Sequence, residues 1–353
     1  MAKIKDLTGQ SKDFSAIDLF CGCGAASLGM KNAGFTVLAA VDFEPTACAT
    51  YRDNHPEVLL LEKDICEVRP SELMKNQATH LDLMVVCAPC QPFSSQNKYR
   101  QGDERAKLVL QSVRFAKELK PELILFENVP GLASDKNHAI MAKLIGGLKR
   151  LGYLVGEPMK LNAADYAVPQ RRMRCIMFAS RTSLPELSPP STPKGQRKTV
   201  RKAIGDLESL TNGQRSFSDP YHFARNHSDV ALKRMRHIPK DGGSRFSLPP
   251  ELELPCHKGK KAYPDVYGRM SWNDVAPTLT TGCTDITRGR FMHPEDDRAI
   301  SLREAARLQT FPDTFVFTGK PGHIAQQIGN AFPVDFAYAM GKTILDHLKK
   351  SAH

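Results

Sequence analysis

Leu81-Asp82-Leu83-Met84-Val85-Val86-Cys87-Ala88-Pro89-Cys90-Gln91-Pro92-Phe93-Ser94 runs from an apolar segment into a cysteine flanked by prolines. Residues 81–86 read as a buried strand. The prolines at 89 and 92 stiffen the loop beyond that strand and push the residue before each out of helical geometry. A thiol held in this way lies at the C-terminal edge of a sheet, where open α/β folds bind their ligands. A lone cysteine at a strand end is more often buried and inert. The rest of the chain decides between the two.

Upstream, residues 15–20 form a short strand running into Cys21-Gly22-Cys23-Gly24-Ala25-Ala26-Ser27-Leu28-Gly29 and then a helix. Glycines in such a turn let a ligand approach the backbone, and the helix start favours an anionic group. The spacing Gly-x-Gly-x4-Gly is not the dinucleotide fingerprint, which argues against NAD. A second strand, 37–41, ends in Asp42-Phe43. An acid there can take both hydroxyls of a ribose, and the neighbouring aromatic can stack on a purine. Asp64-Ile65 follows a third strand-like run, 58–61. In this order the three segments describe an adenosine pocket.

Downstream, the polar stretch 94–107 is long for a connection in a compact sheet and reads as a lid. A helix over 108–119 leads into a strand at 123–126, which delivers Glu127-Asn128-Val129 to the same edge as Cys90. A carboxyl beside a thiol suits a general acid. A further helix over 139–151 precedes Gln170-Arg171-Arg172-Met173-Arg174 and the strand 175–179. If that segment is extended, Arg172 and Arg174 share a face, as contacts for a phosphate or a carbonyl or as a plain surface pair. A Pro- and Ser-rich linker at 184–193 opens a second domain. Order returns at Ser301-x-x-Glu304, a capping box that starts a helix.

Composition narrows the class. The 353 residues are 41% hydrophobic and 25% charged, as in globular proteins. No apolar run approaches the ~20 residues needed to span a membrane, and the first residues lack a signal-peptide core. Nine cysteines, an odd number, fit a reducing cytosol better than a disulfide framework. Net charge is +11, of which residues 181–293 carry +8, with 19 Lys and Arg against 11 Asp and Glu. Such a stretch suits a polyanion partner, or is simply a solvated basic surface. Cys21-x-Cys23 and Cys87-x-x-Cys90 are not joined by a second pair at metal-ligand spacing, so no metal is expected.

Taken together the segments resemble the DNA (cytosine-5)-methyltransferases, particularly the compact bacterial type. The match covers nearly all of the chain except about 195–270. The segment 18–29 (DLFCGCGAASLG) is similar to their cofactor turn, Pro89-Cys90-Gln91-Pro92 to the nucleophile loop and Glu127-Asn128-Val129 to the acid. Gln170-x-Arg172-x-Arg174 is similar to the basic strand beside the target base, 298–312 to the prop of the recognition domain, and 327–333 to the last cofactor motif. Ala25 departs from the usual glycine and should take an ordinary conformation.

The resemblance implies a doubly wound, Rossmann-like α/β sheet of the S-adenosylmethionine-dependent methyltransferase class, over 1–182 and 327–353. A smaller, mostly irregular target-recognition domain would occupy 183–326. It implies S-adenosyl-L-methionine as cofactor, with S-adenosyl-L-homocysteine as product. Cofactor contacts would come from Asp18, Phe20, Gly22, Gly24, Asp42, Phe43, Asp64, Ile65, Pro89, Leu108 and Asn330. Cys90, Glu127, Arg172 and Arg174 would be catalytic; Gln91, Ser94, Ser95, Asn128 and Gln170 would bind substrate.

The implied reaction adds the Cys90 thiolate to C6 of a flipped-out cytosine, which activates C5 for methylation. Glu127 would bond N3 and Arg174 would hold O2. The partner would be double-stranded DNA, the protein a cytoplasmic monomer, and a restriction endonuclease of the same site its natural companion. A tRNA methyltransferase of the same fold and an inactive DNA-binding regulator are the alternatives. The long basic insert favours DNA over tRNA, and intact Cys90, Glu127 and Arg174 favour an enzyme. A cysteine hydrolase would need a histidine beside the thiol, and no matched segment brings one to the sheet edge.

Overall fold

The structure, a computed structural model, describes residues 14–74, 80–89, 93, 104–187, 196–258 and 263–351. The chain divides into two compact units. The first comprises Met1–Asn162, Met173–Pro189 and Val334–His353; the second comprises Ala163–Arg172 and Pro190–Pro333. The expected boundary at 182/183 therefore moves to 189/190, and the second unit also takes 163–172 and 327–333.

In the first unit, β1 (Phe14–Leu19), β2 (Phe35–Asp42), β3 (Leu59–Glu62), β4 (Leu83–Val86) and β5 (Leu123–Asn128) pair in parallel in the order β3-β2-β1-β4-β5. Strands covered on both faces read as continuous apolar runs rather than alternating ones. All six residues of β1 and all four of β4 are buried. Three further strands, β6 (Leu154–Val155), β7 (Met159–Asn162) and β8 (Met173–Ser180), complete the sheet. Here β8 runs antiparallel to β5 and carries β6 and β7 on its other side.

Four helices belong to the first four-fifths of this unit: α1 (Ala25–Ala33), α2 (Pro45–Asn54), α3 (Gln111–Leu119) and α4 (His138–Arg150). α2 starts at Pro45, and the Glu44 side chain accepts from Ala47 N at 2.7 Å, the usual way to satisfy an orphan amide at a helix start. The helix expected over 108–119 begins at Gln111, behind a 3-10 turn over Glu104–Leu110. The C-terminal helix, Val334–Ser351, lies against α1. At Gly29 a Cβ would stand 2.5 Å from Ala337 Cβ, so only hydrogen fits between the two helices.

The second unit holds α5 (Val200–Ile204), α6 (Asp229–His237), α7 (Leu302–Leu308) and α8 (Pro321–Asn330) among turns and isolated bridges. The capping box is formed: Ser301 Oγ accepts from Glu304 N, and Glu304 accepts from Ser301 N. Arginines organise its interior. Arg298 is fully buried and donates to both oxygens of Glu304 at 2.8 Å and to Asp296. Burial alone would raise the Glu304 carboxyl, but Arg298 holds it down to about 2. Arg269, also buried, donates to the carbonyls of Met235, Ile238 and His293 and pairs with Asp297. Part of the positive charge of 181–293 is thus internal rather than surface charge. Among the described residues, no helix is long and apolar enough to cross a membrane.

Candidate active site at the carboxyl edge of the sheet

Strand register builds the site. Leu19 is level with Val41 on one side and Val86 on the other, and Val86 is level with Phe126. The next residue in each parallel strand therefore emerges at one edge: Phe20, Asp42, Cys87 and Glu127. The chain leaves β1 through Phe20, Gly22 and Gly24, whose φ angles are all positive (64°, 51° and 94°), and enters α1 at Ala25. Ala25 is the first helical residue, so its missing glycine costs nothing. Gly24 has no substitute, because a Cβ there would stand 2.5 Å from the His55 ring.

Asp42 faces this turn. Its Oδ2 accepts from Gly22 N at 2.8 Å, and its Oδ1 accepts from Phe43 N and Glu44 N. Burial pushes its carboxyl up, and these amides pull part of that back. Phe43 beside it is 63% exposed, an aromatic face with nothing packed over most of it. Asp18 lies beneath the turn, buried; its Oδ2 accepts from Ser27 Oγ at 2.7 Å, and its Oδ1 has no partner. Burial raises its carboxyl to about 7. At Gly22 the space where a Cβ would project is open. An orphaned carboxyl oxygen, an open glycine cradle and an exposed aromatic fit a nucleoside cofactor with a cationic end.

After β3, Asp64 is exposed and its Oδ1 accepts from Cys66 N, while the Ile65 side chain joins the core. Arg114 of α3 fixes this turn from behind. Its Nη2 donates to Ile65 O at 2.6 Å and its Nη1 to Val68 O at 2.7 Å. Nothing in the sequence distinguishes Arg114 from Lys117, the other cation of its helix. Pro89 and Leu108 are half-buried in the same unit. Asn330 is the exposed last residue of α8, in the second unit.

Glu127, near the end of β5, pairs with Arg174 of β8: Arg174 Nε donates to Glu127 Oε1 at 2.7 Å, and both side chains are about nine-tenths buried. The antiparallel register makes this pair, since Glu127 is level with Ile176 and Arg174 lies two residues before it. Cys87 stands beside Glu127, where burial first and the Glu127 charge second push its thiol well above the ordinary range. Cys87 is a poor nucleophile there. Cys90, Gln91, Ser94 and Ser95 lie outside the described residues, as does most of the expected lid.

Three expected site residues are placed differently. Arg172 precedes β8, belongs to the second unit and is 1% exposed. Its guanidinium donates to the carbonyls of Leu279, Gly329 and Ala331, so it braces backbone instead of sharing a face with Arg174. Gln170 is fully buried, donating to Gln309 Oε1 and accepting from Leu279 N. Asn128 is buried as well: its Nδ2 donates to Ala88 O at 2.9 Å and its Oδ1 accepts from Val129 N. It ties β5 to the backbone just ahead of Pro89. All three hold the frame. Among the described residues no group of three or more His, Cys, Asp or Glu could hold a metal ion.

The profile of the C-5 cytosine-specific DNA methylases matches residues 14–346. The type II methylase M.HgiDII of Herpetosiphon aurantiacus is 38% identical, with 95% of each chain covered. The type II methyltransferase M.XorII of Xanthomonas oryzae pv. oryzae is 34% identical over 95% of this chain and 85% of its own. Among solved structures, a putative DNA modification methyltransferase from an Escherichia coli prophage superposes with a TM-score of 0.76 at 25% identity, covering 96% of this chain and 100% of that one. The sheet, its edge and these matches agree, and the chain belongs to the C-5 cytosine-specific DNA methylase family as a DNA cytosine-5 methyltransferase.

Proposed function

We propose that methyl transfer runs through a covalent bond between Cys90 Sγ and C6 of a cytosine flipped out of the duplex. The observation that carries this reading is the Glu127–Arg174 pair, level with Asp42 at the edge to which β4 leads the chain toward Cys90. S-adenosylmethionine supplies an electrophilic methyl group on its sulfonium. Asp42 would hold its ribose, Phe43 would pack on its adenine, and Asp64 with the turn fixed by Arg114 would border the purine. Asp18 contributes negative charge beneath the glycine turn.

Cys90 as thiolate adds to C6, and the ring's electrons shift toward N3 and C5. Glu127 would bond N3 as that charge develops, while Arg174 orients Glu127 and would hold O2. C5 would then accept the methyl group that S-adenosylmethionine supplies, with S-adenosylhomocysteine as the leaving group. Loss of the C5 proton to a base restores the aromatic ring and expels Cys90 as thiolate. The base must leave the stack for any of this, at a cost of about a few kcal/mol.

The second unit reads the DNA sequence, its unpaired surface cations meeting phosphates and a few side chains reaching base edges. The enzyme acts as a monomer, without a metal, alongside an endonuclease of the same site. Cys90→Ser tests the mechanism: it should bind S-adenosylmethionine as the wild type does and transfer no methyl group. DNA carrying 5-fluorocytosine at the target should give an SDS-stable adduct with wild type only. Wild-type turnover by Cys90→Ser would end the covalent reading. Exchanging roughly 195–285 for the matching stretch of a relative should redirect the methylated site; a folded, active chimera that kept the original site would refute the assignment of the reader.

A further inference from the structure

His55 is the last place where a sequence search for cofactor residues would stop. It caps α2, away from every glycine and acid of the pocket in sequence, and its amide closes the helix on Tyr51 O. In space its ring lies directly under the cofactor turn. His55 Nε2 is 3.0 Å from Gly24 O and Nδ1 is 2.7 Å from Lys31 Nζ. A lysine ammonium can only donate, so Nδ1 must accept. The neutral ring then carries its hydrogen on Nε2 and donates it to Gly24 O. Burial first and Lys31 second lower the imidazole to about 4, which keeps it neutral. Lys31 is held in turn by Glu57. The ring also packs on Tyr51, with centroids 4.7 Å apart, and Tyr51 Oη meets Ser27 Oγ at 2.8 Å, next to Asp18.

Gly24 O is where the turn becomes the helix, for it also accepts the first helical bond, from Leu28 N at 2.9 Å. A carbonyl held by two donors fixes the plane of the Gly24–Ala25 peptide. Gly24 at φ 94° is free to rotate as no other residue type would be, so the turn itself supplies little restraint. We infer that His55 is a positioning residue for the cofactor: oriented by Lys31, it clamps Gly24 O and holds the glycine turn in its binding conformation. The pocket meets a preformed turn, and the ordering cost is borne in folding rather than in binding.

The inference rests on the proposed cofactor pocket, so the test includes Asp42→Ala. S-adenosylmethionine and S-adenosylhomocysteine are titrated calorimetrically into the full chain, with thermal unfolding and cofactor-free DNA binding confirming that each variant is folded. His55→Leu should weaken both ligands about five- to tenfold, the loss of one buried hydrogen bond. His55→Gln, whose amide nitrogen reaches the Nε2 position, should restore affinity to within about twofold. Lys31→Met should weaken binding in the wild type and do nothing further in His55→Leu, because it acts through the ring. In steady state, KM for S-adenosylmethionine should rise while kcat and KM for DNA hold. Unchanged affinity in His55→Leu beside weakened Asp42→Ala would overturn the inference. So would failure of His55→Gln to rescue, or additive Lys31 and His55 effects. Unchanged affinity in Asp42→Ala as well would overturn the pocket along with it.

Discussion

Gly131 gives the sharpest handle on the Cys90 loop. It sits in the 3-10 turn Pro130–Ala133 after β5, and a Cβ on it would stand 1.9 Å from the carbonyl oxygen of Phe93. Ordinary carbon–oxygen contact is about 3.4 Å, so Gly131→Ala demands roughly 1.5 Å of separation. Gly131 cannot supply it: its own carbonyl accepts from Ser134 Oγ and Asn137 Nδ2 at 2.7 Å and from Ser134 N at 3.1 Å. Phe93 must move, against a ring buried in the core. Overpacking of this kind costs about 1–3 kcal/mol of stability. Phe93 lies three residues beyond Cys90, the proposed nucleophile, in the sequence; passed along so short a link, a displacement of about 1 Å at a reacting group would cost on the order of 10²-fold in rate. Single-turnover methylation with saturating cofactor and DNA should therefore slow about 100-fold, with S-adenosylmethionine affinity unchanged. Gly146→Ala is the control, since its Cβ would meet only the flexible end of Arg150 at 3.4 Å. It should gain up to about 1 kcal/mol of helix stability and keep full rate. Wild-type turnover by Gly131→Ala would refute the packing argument.

Glu127→Gln keeps a donor for N3 but carries no transferable proton; single-turnover rate should fall by about 10²–10⁴-fold while cofactor binding holds. Equal rates would remove Glu127 from the proton path. Asp18 links stability to pH: its folded value of about 7 lies above the ordinary 3.8, so the folded state binds more protons between those limits. The apo protein should lose up to about 4 kcal/mol between pH 4 and 7 from this group, read as a urea-midpoint slope that flattens in Asp18→Asn; an unchanged slope would contradict the burial argument. In the second unit, Glu304→Ala leaves the buried Arg298 guanidinium with Asp296 as its remaining carboxylate and should cost up to about 3–5 kcal/mol by the same assay. A cost under about 1 kcal/mol would mean that water reaches Arg298.

The parallel strands were the most legible part of the chain, because burial on both faces turns them into uninterrupted apolar runs. Those expected at 15–20, 37–41, 81–86 and 123–126 correspond to β1, β2, β4 and β5. β6 and β7, two and four residues long and half-exposed, carry no such signal. The positions at strand ends were readable as well, since register alone puts Asp42 and Glu127 at the edge. Asn128, Gln170 and Arg172 have internal partners that were not readable, for the opposite reason. Their side chains are the right type for a ligand, but their partners are main-chain carbonyls and amides contributed by distant segments, which no side-chain pattern announces. His55 and Arg114 escaped notice on the same grounds: both hold backbone.

The packing of α1 on the C-terminal helix sets an order of events during synthesis. The glycine turn and α1 leave the ribosome well before the surface that covers Gly29, which arrives only with Ala337 and its neighbours, some three hundred residues later. At about 5–20 residues per second the wait is on the order of 15–60 s. For that time the nascent chain carries an uncovered apolar helix face beside unfinished strands, the kind of surface that chaperones hold. A chain clipped ahead of Val334 would leave the Gly29 face of α1 uncovered.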